Sequence, residues 1–194
     1  IFTDGITFSS SEIINQKFIY NSDQYNFIKK LKTKYSSKFI IKSLKLMRKN
    51  TPLVLGESII DEYVFCHAIG KSGKEPYMVL QEKKSEEYLG GVLSIAQNIS
   101  ALSKKVNLLS SIGYEKKIQN NVYGSLKRKN IKFKFLKKKT SSILKKRFIE
   151  QINNTKLLGV YTIDDNEIKN NEKKKLISMF KNFIKDSDLI ILSD

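Results

Sequence analysis

Apolar positions follow two different spacings along the chain, and the change falls at Thr51-Pro52. Before it the spacing is helical. Ser9-Ser10-Ser11-Glu12 reads as a helix start, with Ser9 and Glu12 at capping-box spacing and Ile13, Ile14, Phe18 and Ile19 following. A second helix is predicted over residues 23–34, on Tyr25, Phe27, Ile28 and Leu31, and a third over 37–49, on Ile40, Ile41, Leu44 and Met47. These segments are Lys-rich and carry no strand pattern, so residues 1–50 read as a helical appendage or connector.

After Pro52, short apolar runs alternate with amphipathic ones. Leu53-Val54-Leu55-Gly56 suits a buried strand, and Ile59-Ile60-Asp61-Glu62-Tyr63-Val64-Phe65 is made largely of β-formers. Residues 71–74 form a loop, Pro76 excludes a helix, and Tyr77-Met78-Val79-Leu80 predicts a strand antiparallel to the earlier one. Helices are predicted over 92–103, 118–129 and 172–185, and strands over 106–110, 131–136 and 188–192, the last of them buried. Residues 145–152 and 157–162 read as paired strands around an Asn153-Asn154 turn. Residues 51–194 therefore predict an α/β layered fold with a largely parallel sheet. Residues 57–69 and 77–82 would form a small β-flap beside it.

The junction Leu89-Gly90-Gly91-Val92 separates a charged, extended segment from an amphipathic helix. Two glycines there permit positive φ and close approach of a ligand to the main chain, beside the unpaired N–H groups of the helix's first turn. A plain tight turn would use the same residues.

Composition narrows the class. Of 194 residues, 40% are hydrophobic and 10% aromatic, enough for a packed core. No apolar run approaches a bilayer span, and the single cysteine, Cys66, fits a reducing compartment, so a soluble cytoplasmic protein is expected. Cys66 and His67 are neighbours with no further Cys or His, which argues against zinc and against a Cys–His nucleophile. The net charge of +17 invites a nucleic-acid reading. Arg48, Arg128 and Arg147 are the only arginines, however, and the lysines spread through every segment. A bias toward Lys, Asn and Ile is the simpler cause. A Lys-rich binding or dimerisation module for nucleic acid or an acidic partner is the alternative reading, and a degenerate, purely structural relative is a third. The start at Ile1 and the end on a core-like strand predict a piece of a longer protein.

Several landmarks fall in the order of the ribokinase-like, or PfkB, carbohydrate kinases. Leu53–Asp61 resembles that family's first strand with its downstream carboxylate, and Leu89-Gly90-Gly91 before a helix resembles its diglycine motif. Lys145-Lys146-Arg147-Phe148-Ile149 and Leu157-Leu158-Gly159-Val160-Tyr161 resemble the paired strands that follow. Glu75-Pro76 and the terminal strand ending in Ser193-Asp194 resemble the heptose-phosphate kinase branch. Ser94 stands where much of the family has Asn, and the family's Gly-Ala-Gly-Asp signature is absent. Asp4 to Asn15, with Ser9, Ser10 and Ser11, resembles the late Ser/Thr-rich motif of cytidylyltransferase-like nucleotidyltransferases.

The resemblance implies a ribokinase-like layered sandwich, incomplete here, and a kinase using ATP with Mg2+ on a sugar or sugar phosphate. It implies that Asp61 aligns sugar hydroxyls, with Gly90, Gly91, Ser94 and Asn98 alongside, and that Lys145 and Arg147 hold a substrate phosphate. The catalytic base is expected beyond Asp194. Ser9, Ser10 and Ser11 would contact nucleotide phosphate in an upstream domain, and Glu75 would position the lid. A homodimer through the flap, using Tyr63, Phe65 and Tyr77, is also implied. Each residue has a plain alternative: a solvated or loop-capping Asp61, a helix-surface Asn98, a basic edge strand at Lys145 and Arg147, and a simple N-cap at Ser9.

Overall fold

The computed structural model describes residues 22–193. Ser9, Ser10 and Ser11, and the helix predicted to start there, lie outside the described residues. The chain separates into two units, Ile1–Leu46 and Met47–Asp194. In the first, helix α1 (Ser22–Lys34) and helix α2 (Ser37–Met47) are described. The Ser36 hydroxyl caps α2 by accepting the Phe39 N–H at 3.1 Å. Neither helix buries a residue, and Phe39, Ile41 and Leu46 are exposed.

The second unit is built on one long strand, β1 (Pro52–Lys71). The two strands expected at 53–56 and 59–65 are this single element. Its first half lies between β3 (Val106–Ile112) and β7 (Leu189–Ser193), and β4 (Ile131–Lys137) extends beyond β3. All of these pairings are parallel. Its second half lies between β2 (Met78–Gly90), antiparallel, and β5 (Ile143–Glu150), parallel. β6 (Thr155–Thr162) closes this second sheet, antiparallel to β5. The flap therefore has four strands, and the paired strands after the body join it. Asn154, at φ 53, turns the chain between β5 and β6.

Helices cover both faces of the parallel sheet. Helix α3 (Gly91–Ser100) and helix α4 (Lys116–Lys127) bury Val92, Leu93, Ala96, Val122 and Leu126 against Val54 and Leu108. Helix α5 (Asn170–Ile184) packs Phe183, Met179 and Phe180 against Leu53 and Leu109 on the other face. Alternate residues of β1 and β3 thus face opposite helical layers, which explains why Leu53-Val54-Leu55 and Leu108-Leu109 are apolar at successive positions. Burying each such Leu or Val stabilises the fold by about 1.5–3 kcal/mol.

β7 forms where a strand was predicted, but it is not buried. Ile190 is 41% and Leu192 72% exposed. An apolar run suits a covered strand, yet β7 pairs only with β1 among the described residues, so its outer side remains open.

Candidate functional site

The two sheets meet at a hinge. At Gly56 β1 takes φ +156, and a Cβ there would overlap the Ser193 carbonyl oxygen of β7. The Ser110 hydroxyl donates to the Gly56 carbonyl at 2.6 Å and accepts from Ser58 at 2.8 Å. Two residues later Ser58 bridges to Gly91, which opens α3 at φ +53. A side chain at Gly91 would press on the Glu57 carbonyl, and one at Gly90 would overlap the Asp61 carboxylate. The diglycine is thus required by the close approach of β1, and Asp61 is the residue it packs against.

Strand register assembles the rest. Asp61 lies opposite Tyr88 of β2 and Lys145 of β5; Tyr63 lies opposite Glu86 and Arg147; Lys145 lies opposite Tyr161 of β6. Directly opposed residues share a face of the sheet. The Arg147 guanidinium donates to Asp61 Oδ1 in an ion pair. It also lies over the rings of Tyr63 (5.5 Å) and Tyr161 (5.6 Å). Tyr88 meets Tyr63 edge-on at 5.6 Å, and Lys145 Nζ stands 5.9 Å from the Tyr161 ring. The pair is about one-fifth exposed on each side, 19% for Arg147 and 21% for Asp61. Its hydrogen bond to Asp61 raises Arg147 above its already high ordinary pKa. Bonds from Lys84 and then Tyr88 lower the Glu86 carboxyl, and Glu86 in turn raises the Tyr88 phenol. The face is therefore a fixed array of charges and aromatic rings beside a hinge where the main chain is bare.

Of the residues singled out in the sequence, Asp61, Gly90, Gly91, Lys145 and Arg147 come together. Ser94 lies one turn into α3 and is half-buried, whereas Asn98 is exposed one turn further on. Arg147 is engaged by Asp61 rather than open to a phosphate, while Lys145 makes no ion pair among the described residues. Glu75 sits in the exposed turn between β1 and β2, its carbonyl accepting the Tyr77 N–H at 2.8 Å. Tyr63, Phe65 and Tyr77 do not form one exposed apolar patch. Tyr63 belongs to the Arg147 cluster, Phe65 is half-buried under Lys84, and Tyr77, in the turn before β2, alone is well exposed. Cys66 is buried, which raises its thiol pKa, and His67 is exposed. Among the described residues no group of three or more His, Cys, Asp or Glu could hold a metal ion. As members of the site, Tyr88 and Tyr161 were missed in the sequence. Only the register, which sets Tyr88 opposite Asp61 and Tyr161 opposite Lys145, marks them.

Solved structures share this architecture. A carbohydrate kinase from Agrobacterium tumefaciens superposes with a TM-score of 0.51 at 15% identity, over 74% of this chain and 45% of that one. A possible 1-phosphofructokinase from Thermotoga maritima gives 0.53 at 15% identity, over 73% and 44%. The fold is ribokinase-like. In sequence the chain is similar to bifunctional HldE proteins. It is 28% identical over 144 residues to that of a Nitratiruptor species, covering 73% of this chain and 30% of that protein. To that of Helicobacter pylori (strain HPAG1) it is 33% identical over 148 residues, covering 73% and 30%. This ribokinase-like chain thus spans about three-tenths of the length of the curated relatives it matches. No family model matches it.

Proposed function

We propose that this chain carries the sugar-binding part of an ATP-dependent carbohydrate kinase, which transfers the γ-phosphoryl group to a hydroxyl of a sugar or sugar phosphate of the heptose-phosphate type. The observation that carries the reading is the meeting of Asp61, the diglycine and Arg147 at the hinge between body and flap. Asp61 accepts hydrogen bonds from two sugar hydroxyls, and the ion pair with Arg147 holds the carboxylate in place. The bare backbone at Gly90 and Gly91 lets the ring approach, and Lys145 meets an anionic substituent. Magnesium-bound ATP supplies the phosphoryl group; the residues of this chain align the acceptor. The similarity to HldE and the ribokinase-like fold support this reading.

Three finer points belong to the same proposal. The 194-residue chain binds sugar without turning it over. Residues 1–50 are the tail of a nucleotidyltransferase-like domain and its connector. The catalytic base lies outside residues 1–194.

Calorimetric titration of the chain with a heptose phosphate and with the unphosphorylated heptose tests the site. Asp61→Asn should weaken both roughly tenfold or more, the value of one charge-assisted hydrogen bond. Lys145→Ala should weaken only the phosphorylated sugar. Unchanged titrations in Asp61→Asn would remove the carboxylate from the site, and ADP release by the chain alone would overturn the expected lack of turnover.

A further inference from the structure

The flap has a second face. Ile60 and Leu89 are register partners, as are Glu62 and Glu87, and these four share the face opposite the Asp61 cluster. Between this part of β2 and helix α4 runs a groove of about 440 Å³, within the size range of small-molecule sites. Ile60, Leu89 and Ile118 make its apolar floor, and Asn120, Asn121 and Arg128 its polar wall.

Gly124 sits in the third turn of α4 and lines this groove. A helix-interior glycine costs roughly 1 kcal/mol relative to alanine. Nothing stands within 4 Å of where its Cβ would be, and its φ is not positive, so neither crowding nor backbone conformation within the chain calls for glycine here. Its effect is to leave a strip of helix backbone bare at the centre of the groove, open to a flat group.

The ends of the groove differ in charge. The Glu87 carboxylate is held across the groove by Lys117 Nζ and Asn121 Nδ2, each at 3.4 Å. These are long, exposed contacts that an incoming ligand displaces at small cost. At the other end the Arg128 guanidinium makes no ion pair among the described residues, and the Asn120 amide makes no hydrogen bond among them. A guanidinium fork suits phosphate or carboxylate, and an Asn amide pairs with the donor–acceptor edge of a purine.

We propose that the groove between β2 and α4 binds a small molecule that joins a flat ring to an anionic group, the class of a purine nucleoside monophosphate. The ring lies on the bare backbone at Gly124 over Ile60 and Leu89, Asn120 reads its edge, and Arg128 holds the anion. Because Glu87 and Leu89 lie within three residues of the hinge glycines, an occupied groove also braces the flap against α4. The groove shares Tyr88 with the edge of the sugar face, but its ring and anion contacts come from α4, so it stands whether or not that face binds sugar.

Titration of the whole chain with AMP, adenosine and inorganic phosphate tests it. AMP should bind saturably, and adenosine and phosphate each roughly tenfold or more weakly, since each lacks one half of the contacts. Gly124→Leu fills the groove with a better helix former, so the fold should be kept or stabilised while AMP affinity falls roughly tenfold or more. Arg128→Ala should reduce AMP affinity to that of adenosine, and Asp61→Asn should leave it unchanged. The proposal is overturned if AMP shows no saturable binding, if binding survives Gly124→Leu, or if Asp61→Asn abolishes it.

Discussion

The two halves of β1 run through opposite environments. From Pro52 to Leu55 the strand is sealed between helical layers, with Leu53 and Val54 fully buried. From Asp61 to Tyr63 it carries half-buried polar and aromatic side chains, joined by an ion pair and ring contacts. The body is held by apolar area, which is non-directional and adds up. The flap face is held by directed contacts, which position groups more than they stabilise. Substitutions in the first half should therefore unfold the domain, and those in the second should disarm it.

The largest expected effect tests the body. Leu109→Ala, between β1 and α5, should destabilise the second unit by about 2–5 kcal/mol in chemical denaturation, as a large-to-small change in a sealed core does. A cost near zero would break the contrast. Gly90→Ala comes next, because its methyl group overlaps the Asp61 carboxylate. It should displace Asp61 and cost about 1–3 kcal/mol, with sugar binding lost while the far-UV spectrum is kept.

A double-mutant cycle on Asp61→Asn and Arg147→Met should give a coupling of about 1 kcal/mol, since a pair one-fifth exposed is only partly shielded from water. A coupling indistinguishable from zero would show that register alone, without the ion pair, orders the face. The smallest effect concerns Asp164. The Thr140 hydroxyl, then Asn166 and Lys138, hold its carboxyl below the usual range and tie the chain after β6 to that after β4. A depressed folded-state pKa gives stability that is present above the unfolded value, about 4, and is lost as pH falls below it. Asp164→Asn should flatten the acid limb of the stability profile below about pH 4 while leaving its shape near neutrality unchanged. An unaltered acid limb would exclude the contact.

The layered fold was legible in the sequence because β1 and β3 carry successive apolar residues at their centres and the helices an apolar stripe on one side. Hydrophobic periodicity reports such burial directly. The hinge was legible for a different reason: only glycine fits where β1 crosses the start of α3, so the diglycine marks the place. Periodicity did not reveal that the runs at 53–56 and 59–65 are one strand, since Gly56 and Glu57 interrupt the apolar pattern while Gly56 keeps its pairing with both β3 and β7. It also marked β7 as buried, because a strand's composition does not say whether a neighbour is there to cover it.

By itself, the sequence determined the alternation of elements, the glycine hinge and the candidate carboxylate, all of which depend on residues close in the chain. Only the tertiary structure decided that Arg147 grips Asp61 between Tyr63 and Tyr161, and that Glu87 and Gly124 share a groove. These contacts join residues dozens of positions apart through strand register and helix packing. A shift of one residue in register would have sent the strand side chains among them to the other face.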